Sequence, residues 1–501
     1  MSVPTDAAPA RATASPPPNA PNAPSRRGLS LLVLSLAQLM VVLDATVVNI
    51  ALPTAQQALG FSDADRQWVV TGYALAFGSL LLLGGRLSDF FGRKRMFVVG
   101  VVGFALASAL GGAATGFGLL LLARVLQGVF GAVLAPAALS LLSTTFTEAR
   151  ERARAFAVFG GISGGGSGVG LLLGGVLTEY ASWRWCLYVN LLIAALTLVG
   201  ASVALQGGER PARPRLDLPG VATSVLGLVG VVYGLGRAET AGWTSATTLV
   251  PLLAGAVLLV AFVLVERRAA HPLLPLRVVR DRSRGGAYLT VAVAGVGMFG
   301  LFLFLTYFLA GGLGFSPVQT GAAFLPMIVM IMVSAIGLGT VLVPRVGPRP
   351  LVPAGAAIAA LGMALLTRLD LDSSYVSDVL PALLVIGAGV GLVFAPAQNA
   401  ATAGVGEADA GVASAMINTA QQIGGSIGTA LLSTFAASAA SAFLAGKTVT
   451  QQLAAEAAVR SYHTVFWWSA RFLAACAVFA ALLFRSGPLE VDADAAPVLT
   501  H

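Results

Sequence analysis

The chain has 501 residues, 57% of them apolar and only 10% charged, with a mean hydropathy of +0.85. A soluble globular protein carries roughly 25% charged residues, so that class is excluded and an all-α polytopic membrane protein is indicated. The formal net charge of +8 does not mark nucleic-acid binding, because the basic residues are concentrated in alternate loops.

Fourteen apolar runs approach the roughly 20 residues needed to cross a bilayer. They lie at 29–52, 67–84, 96–115, 117–143, 154–177, 185–205, 218–236, 246–265, 285–310, 318–342, 351–367, 379–399, 410–436 and 462–484. The loops on the side of the termini hold most of the thirty Lys and Arg residues, such as Arg86, Arg93, Lys94, Arg95, Arg150, Arg152 and Arg277. The opposite side holds Arg66, Arg184, Arg237, Arg368, Lys447 and Arg460, while Arg124 and Arg471 fall inside spans. By the positive-inside rule both termini are cytoplasmic, which an even number of spans also requires. Residues 1–28 and 485–501 read as tails. The Pro/Ala/Ser-rich start cannot bury a core, and it is no signal peptide, since the first apolar run is too long and lacks a cleavage site.

The two cysteines, Cys186 and Cys476, fall in apolar spans, and His271, His463 and His501 are scattered. No disulfide framework, metal site or cofactor is expected from them. An embedded enzyme would need a cluster of His, Cys or acids that the spans lack. The preference for Arg over Lys, with abundant Ala and Gly, points to a GC-rich bacterial genome.

In chain order, the first signal is Asp44, the one ionisable residue between Leu29 and Leu52. A bare carboxylate in hydrocarbon costs roughly 2.5 to 3.5 kcal/mol, so it must face a protein interior or a watery cavity. At about 100° per residue, Ala37, Met40, Asp44, Val47, Val48 and Ala51 share its face. A proton- or ligand-handling acid and an ion pair that only holds helices together both remain open. The next segment, Gly84-Gly85-Arg86-Leu87-Ser88-Asp89-Phe90-Phe91-Gly92-Arg93-Lys94, makes a tight two-helix corner bearing one acid. Arg124-Val125-Leu126-Gln127-Gly128 follows inside the fourth span, where a guanidinium needs a partner, and Asp44 is the candidate by elimination.

In the fifth span Gly160, Gly164 and Gly168, and then Gly166, Gly170 and Gly174, recur every fourth residue, a spacing that brings helix backbones together. Ser182-Trp183-Arg184-Trp185 leads on to Asn190. Gly339 to Gly347 repeats the spacing of Gly84 to Gly92, an echo between the two halves. In span thirteen Ser414, Asn418, Gln422 and Ser426 form a polar stripe beside Gln421 and Gly425, which faces neighbouring helices or a cavity rather than lipid. Tyr73, Phe77, Met298 and Tyr307 are candidates for an adaptable greasy pocket or for plain core.

These segments resemble the major facilitator superfamily, and its fourteen-span drug:proton antiporter branch in particular. The corner matches that family's G-x-L-x-D-x-x-G-R-K/R loop, the fourth span its R-x-x-Q-G, and the glycine-rich fifth span its antiporter motif. Departures are Leu171 for the usual Pro, Ala310 for the common Gln, and Leu191-Leu192 where Val-Pro is usual.

The resemblance implies an N-terminal six-helix bundle at 29–206, a link at 207–284 with two extra helices, and a C-terminal bundle at 285–484. It implies a monomeric proton-coupled exporter of hydrophobic or cationic drugs or antibiotics in the bacterial plasma membrane, working without a cofactor. Asp44 and Arg124 would carry proton coupling. Gly85, Asp89, Gly92 and Arg93 would form a conformational latch, and Gly166, Gly170, Gly174 and Gly175 a helix-packing face. Tyr73, Met298, Tyr307, Asn418, Gln421 and Gln422 would contribute to the substrate cavity. An importer of the same fold is the alternative; it would keep the corner motif without needing the glycine-rich span.

Overall fold

A computed structural model describes residues 24–146, 148–205, 217–405 and 407–485. The expected tails at 1–23 and 486–501, and the start of the link at 206–216, lie outside the described residues. Among those described, fourteen helices are long and apolar enough to cross a membrane. Helix is the expected answer for such a chain, because each span satisfies its own backbone hydrogen bonds where water is absent.

The first bundle comprises α1 (Pro24–Leu59), α2 (Asp63–Phe91), α3 (Arg93–Gly112), α4 (Phe117–Thr145), α5 (Ala149–Tyr180) and α6 (Trp185–Ala204). The helix α1 starts inside the expected tail, and Arg27 in its first turns pairs with Glu151 at 2.7 Å. The inserted pair is α7 (Leu218–Ala241) and α8 (Ala246–Arg268), followed by the short α9 (Leu276–Arg280). The second bundle opens with α10 (Arg282–Tyr307) and then makes one interrupted crossing from α11 (Pro317–Ala323), α12 (Leu325–Met332), a π-helical stretch at Val333–Gly339 and α13 (Thr340–Val346). It ends with α14 (Pro348–Leu366), α15 (Leu380–Thr402), α16 (Glu407–Leu444) and α17 (Gln451–Leu483). With an even number of crossings both ends of the described chain lie on one face, called here the near face.

The echo between the halves has a backbone counterpart. Gly92 turns α2 into α3 at φ 96°, and Gly347 leads into α14 at φ 73°, both in the left-handed region that glycine tolerates best.

The two bundles meet along two seams. On one, α2 packs against α16: a Cβ at Gly78 would fall 2.8 Å from the Cβ of Gln422. The inserted α7 covers this seam, with Leu228 and Val232 in one apolar cluster with Leu75 of α2 and Ala430 of α16, and Thr434 donating to the Leu235 carbonyl at 3.0 Å. Within the insert, a Cβ at Gly255 would sit 2.7 Å from the Gly227 carbonyl, so α7 and α8 touch backbone to backbone.

On the other seam, α5 packs along α11 at the far end. A Cβ at Gly175 would lie 2.6 Å from the Pro317 carbonyl, and one at Gly321 2.3 Å from that of Leu171. Toward the near face this seam parts, and a Cβ at Gly165, Gly161 or Gly160 meets open space. The far end is sealed further by Tyr307, which donates to Gln56 at 2.5 Å, and by Arg66, whose guanidinium lies 4.2 Å from the Tyr307 ring centroid.

The glycine stripe therefore divides its work. Gly166, Gly170 and Gly174 do not face the other bundle; they admit Leu39 and Val42, Leu43 and Thr46, and Val47 of α1. Leu171 is fully buried in an uninterrupted helix.

This arrangement predicts opposite outcomes for one substitution at two glycines. A Cβ at Gly170 would fall 2.0 Å from Thr46 Oγ1, so Gly170→Leu must force α5 off α1 at a cost of about 1 to 3 kcal/mol. Gly160→Leu meets nothing. Thermal unfolding of the two variants in detergent should show a lowered midpoint for Gly170→Leu alone; equal midpoints would refute the backbone contact.

Candidate functional site

The first bundle closes around one charged network. α1 brings Asp44, α4 brings Arg124 and Gln127 one turn apart, α3 brings Ser108 and α6 brings Asn190. The Arg124 and Asp44 side chains are 2% and 0% exposed, and they pair at 2.6 Å from Nη1 to Oδ2. The other carboxylate oxygen, Oδ1, accepts from Gln127 Nε2 and from Asn190 Nδ2, each at 2.7 Å. Gln127 also donates to Ser108 Oγ at 2.7 Å. The carboxylate thus receives three donors, which offsets the cost of removing it from water.

Arg124 is held independently of that carboxylate. Its Nη1 donates to Gln127 Oε1 at 2.8 Å, its Nε to the Val69 carbonyl at 3.2 Å, and its guanidinium lies 4.3 Å from the Tyr73 ring centroid. Such a stack favours a desolvated cation. One acceptor is left over: Asn190 Oδ1 is buried without a hydrogen bond. Close packing encloses the network. A Cβ at Gly128 would lie 2.5 Å from the Tyr73 carbonyl, and one at Gly84 1.9 Å from that of Ala132, so α2 and α4 touch over much of their length.

Sequence reasoning paired Asp44 with Arg124 but missed Asn190, Ser108 and Val69 as members of the site. Asn190 was legible as a polar amide inside an apolar span, a placement that needs a partner. Ser108 and the Val69 carbonyl carry no comparable signal.

The other candidates fall in separate surroundings. Tyr73 belongs to the charge network and Met298 is buried, while Tyr307 is part of the far seal and not of a central chamber. Gln422 packs on α2 at Gly78, the Gln421 carbonyl would meet a Cβ at Gly295 at 2.8 Å, and Asn418 is exposed. The polar stripe is thus partly a helix-packing face. At the corner, Gly85 lies near Pro136, and Gly92 supplies the turn. Among the described residues Asp89 makes no ion pair or side-chain hydrogen bond, and Arg93 Nε is buried without a hydrogen bond. Arg86 and Lys94 instead carry contacts of the corner, Arg86 donating to the Pro272 carbonyl at 2.6 Å and Lys94 to the Leu205 carbonyl.

Comparison with known proteins agrees with this architecture. The chain is 50% identical over 469 residues to the puromycin resistance protein pur8 of Streptomyces alboniger, covering 93% of each. It is 40% identical over 415 residues to the cephamycin export protein CmcT of Amycolatopsis lactamdurans, covering 82% of this chain and 85% of that one. The lincomycin resistance protein of Streptomyces lincolnensis is 35% identical over 410 residues, with 81% and 83% covered. Among solved structures, a bacterial homologue of the human lysosomal transporter Spinster, inward-facing and unoccupied, superposes with a TM-score of 0.65 at 16% identity, over 92% of this chain and 97% of that one. An auto-inhibited POT family peptide transporter gives 0.67 at 15% identity, over 94% and 99%. Residues 34–429 match the Major Facilitator Superfamily, and the chain belongs to it.

Proposed function

We propose that this protein exports hydrophobic or cationic antibiotics across the bacterial plasma membrane in exchange for protons. The near face, which bears the termini, is read as cytoplasmic from the distribution of Arg and Lys. Relatives named for puromycin resistance, cephamycin export and lincomycin resistance support the substrate class and the direction. The proton half rests on one observation: Asp44 and Arg124 are the only charged residues buried within either bundle among the described residues.

The network suits a carboxylate that gains and loses a proton. A neutral Asp44 no longer attracts Arg124, yet the guanidinium keeps Gln127 Oε1, the Val69 carbonyl and the Tyr73 ring. Arg124 is therefore not stranded as an unpaired buried charge. A protonated carboxyl also needs an acceptor, and turning over the Asn190 amide offers its unsatisfied Oδ1. Protonation thus exchanges one satisfied arrangement for another, as a coupling site in a two-state transporter must.

The fold described here fits the state open to the cytoplasm, with α5 sealed against α11 outside and parted from its partner inside. Asp89 without a partner accords with a latch that engages only when the cytoplasmic ends close.

Asp44→Asn should leave the protein folded while abolishing uphill export. In everted vesicles with an imposed proton gradient, wild type should accumulate the drug and the variant should not. Undiminished accumulation by the variant would remove Asp44 from coupling, and wild-type accumulation in the opposite direction would make the protein an importer.

Two gate variants should shift the conformational balance in opposite senses. Arg66→Ala removes the cation held on Tyr307, a contact of about 0.5 to 2 kcal/mol, and should populate the outward-open state. Asp89→Ala should depopulate that state. Distances between spin labels on the cytoplasmic ends of the bundles will report both; two unchanged distributions would refute the gate assignments.

A further inference from the structure

The inserted helix pair carries a second buried carboxyl that the transport mechanism above does not use. Glu266, in the last turn of α8, is 4% exposed. Its Oε2 accepts the Leu274 amide at 3.0 Å, while its Oε1 is buried without a hydrogen-bond donor. Opposite it, Asp217 caps α7 by accepting the Gly220 amide on Oδ1 at 2.9 Å, and its Oδ2 is likewise buried without a donor. These two free oxygens converge. A Cβ at Gly220 would lie 2.5 Å from Asp217 Oδ2 and 2.7 Å from Glu266 Oε1, so only glycine leaves room for both.

Among the described residues no cation pairs with either carboxyl. On α8 the adjacent Arg267 and Arg268 are exposed, as is His271 in the following loop, and that loop offers Glu266 only backbone amide. From α7 the facing group is Asp217 itself. Two ionised carboxylates cannot share such a space without strong repulsion, whereas one proton between them converts two orphan acceptors into a hydrogen bond.

The loop that Glu266 anchors is a mechanical link. Its Leu273 and Leu274 are buried, and its Pro272 carbonyl receives Arg86 from the corner between α2 and α3. On its other side, Arg277 of α9 pairs with Asp409 at the start of α16 at 2.7 Å. The segment from Glu266 to Arg277 thus ties the insert to the α2–α3 corner of one bundle and to a helix of the other.

We propose that Glu266 and Asp217 bind one proton between them, forming a cytoplasmic protonatable site separate from Asp44, and that this proton holds the 269–275 loop against Arg86. As cytoplasmic pH rises the proton leaves to water, the carboxylates repel, and the tie between insert and corner loosens. The inference concerns protonation and position alone, so it stands apart from the identity of the exported molecule.

The test uses the full-length protein in lipid nanodiscs with Asp44→Asn as background, which removes the other buried carboxyl. Infrared difference spectra between about pH 6 and about pH 8.5, both above the ordinary carboxyl range of about 4, should contain a protonated-carboxyl carbonyl band. Glu266→Gln should lose that band, and Gly220→Ala, which retains both acids but separates them, should lose its shared character by moving it. Spin labels replacing the exposed Arg95 and His271 should move apart as pH rises in the parent and stay together in Glu266→Gln, whose amide donates to Asp217 at every pH. Identical difference spectra for parent and Glu266→Gln would overturn the shared proton. A band that responds to added sodium or magnesium at fixed pH would make the pair a metal-cation site instead. A parent distance insensitive to pH, with the band present, would overturn the mechanical tie.

Discussion

Asp44 and Arg124 constrain the first bundle more than any other pair, because each is a charge taken out of water that must be met by partners from several helices at once. A charge removed from water is stabilised only by excellent geometry and by further donors and acceptors. The sequence supplies these from four more helices or helix turns: Gln127 one turn along α4, Ser108 on α3, Asn190 on α6, and the Val69 carbonyl with the Tyr73 ring on α2. Five of the six helices in this bundle are thereby fixed in rotation about their axes. A helix turned by one residue, about 100°, would carry its polar group out of the network and into lipid or an apolar contact.

Glycine provides the other half of the design. Helices in a bilayer gain little from burying apolar surface against each other, so they depend on close approach and dispersion. In the first bundle α1 lies on α5 across Gly166, Gly170 and Gly174, and α2 lies on α4 across Gly84 and Gly128. Between bundles, close approaches fall at Gly78 on the α2 and α16 seam and at Gly168, Gly175 and Gly321 on the α5 seam, with Tyr307 bonded to Gln56 at the far end. Helices within the first bundle are thus held backbone to backbone, while the α5 seam between bundles parts toward the near face at Gly165, Gly161 and Gly160. Such a division lets one bundle rock against the other without repacking either core.

The sequence disclosed the fold almost completely, because hydropathy and loop charge are bulk properties that survive ignorance of every contact. The fourteen crossings are of this kind. It disclosed the charge pair as well, since a lone acid and a lone arginine in hydrocarbon leave little choice. Facing direction was less legible. The glycine stripe read as a helix-packing face, but its spacing did not say which neighbour each glycine meets: Gly166, Gly170 and Gly174 pack on α1 and Gly175 on α11. Tyr307 read as pocket lining but serves the far seal, because an aromatic near a span end suits either place. The place of Asn190 and Ser108 beside Asp44 was not legible, because these residues lie on helices distant in sequence from α1 and only the tertiary arrangement brings them together.

The inserted pair α7 and α8 need not be a passive addition. Its outer half covers the seam between α2 and α16, joined to one by Trp68 packing over Gly236 and to the other by the hydroxyl of Thr434. Covering one seam leaves the α5 and α11 seam as the side on which the bundles separate toward the near face. A rocking motion with one flank splinted and the other free is a hinge rather than a symmetric clam. The parted stretch of that seam holds Gly165, Gly161 and Gly160 on α5, beyond the contact of Gly168 with Leu325 and Ile328 of the α11 to α13 crossing. That crossing is interrupted by the π-helical stretch at Val333–Gly339, a break in regular hydrogen bonding of the kind that concentrates at functional positions. The π-helical stretch thus follows the contact of Ile328 with Gly168 on the α5 seam, while the insert covers the seam between α2 and α16.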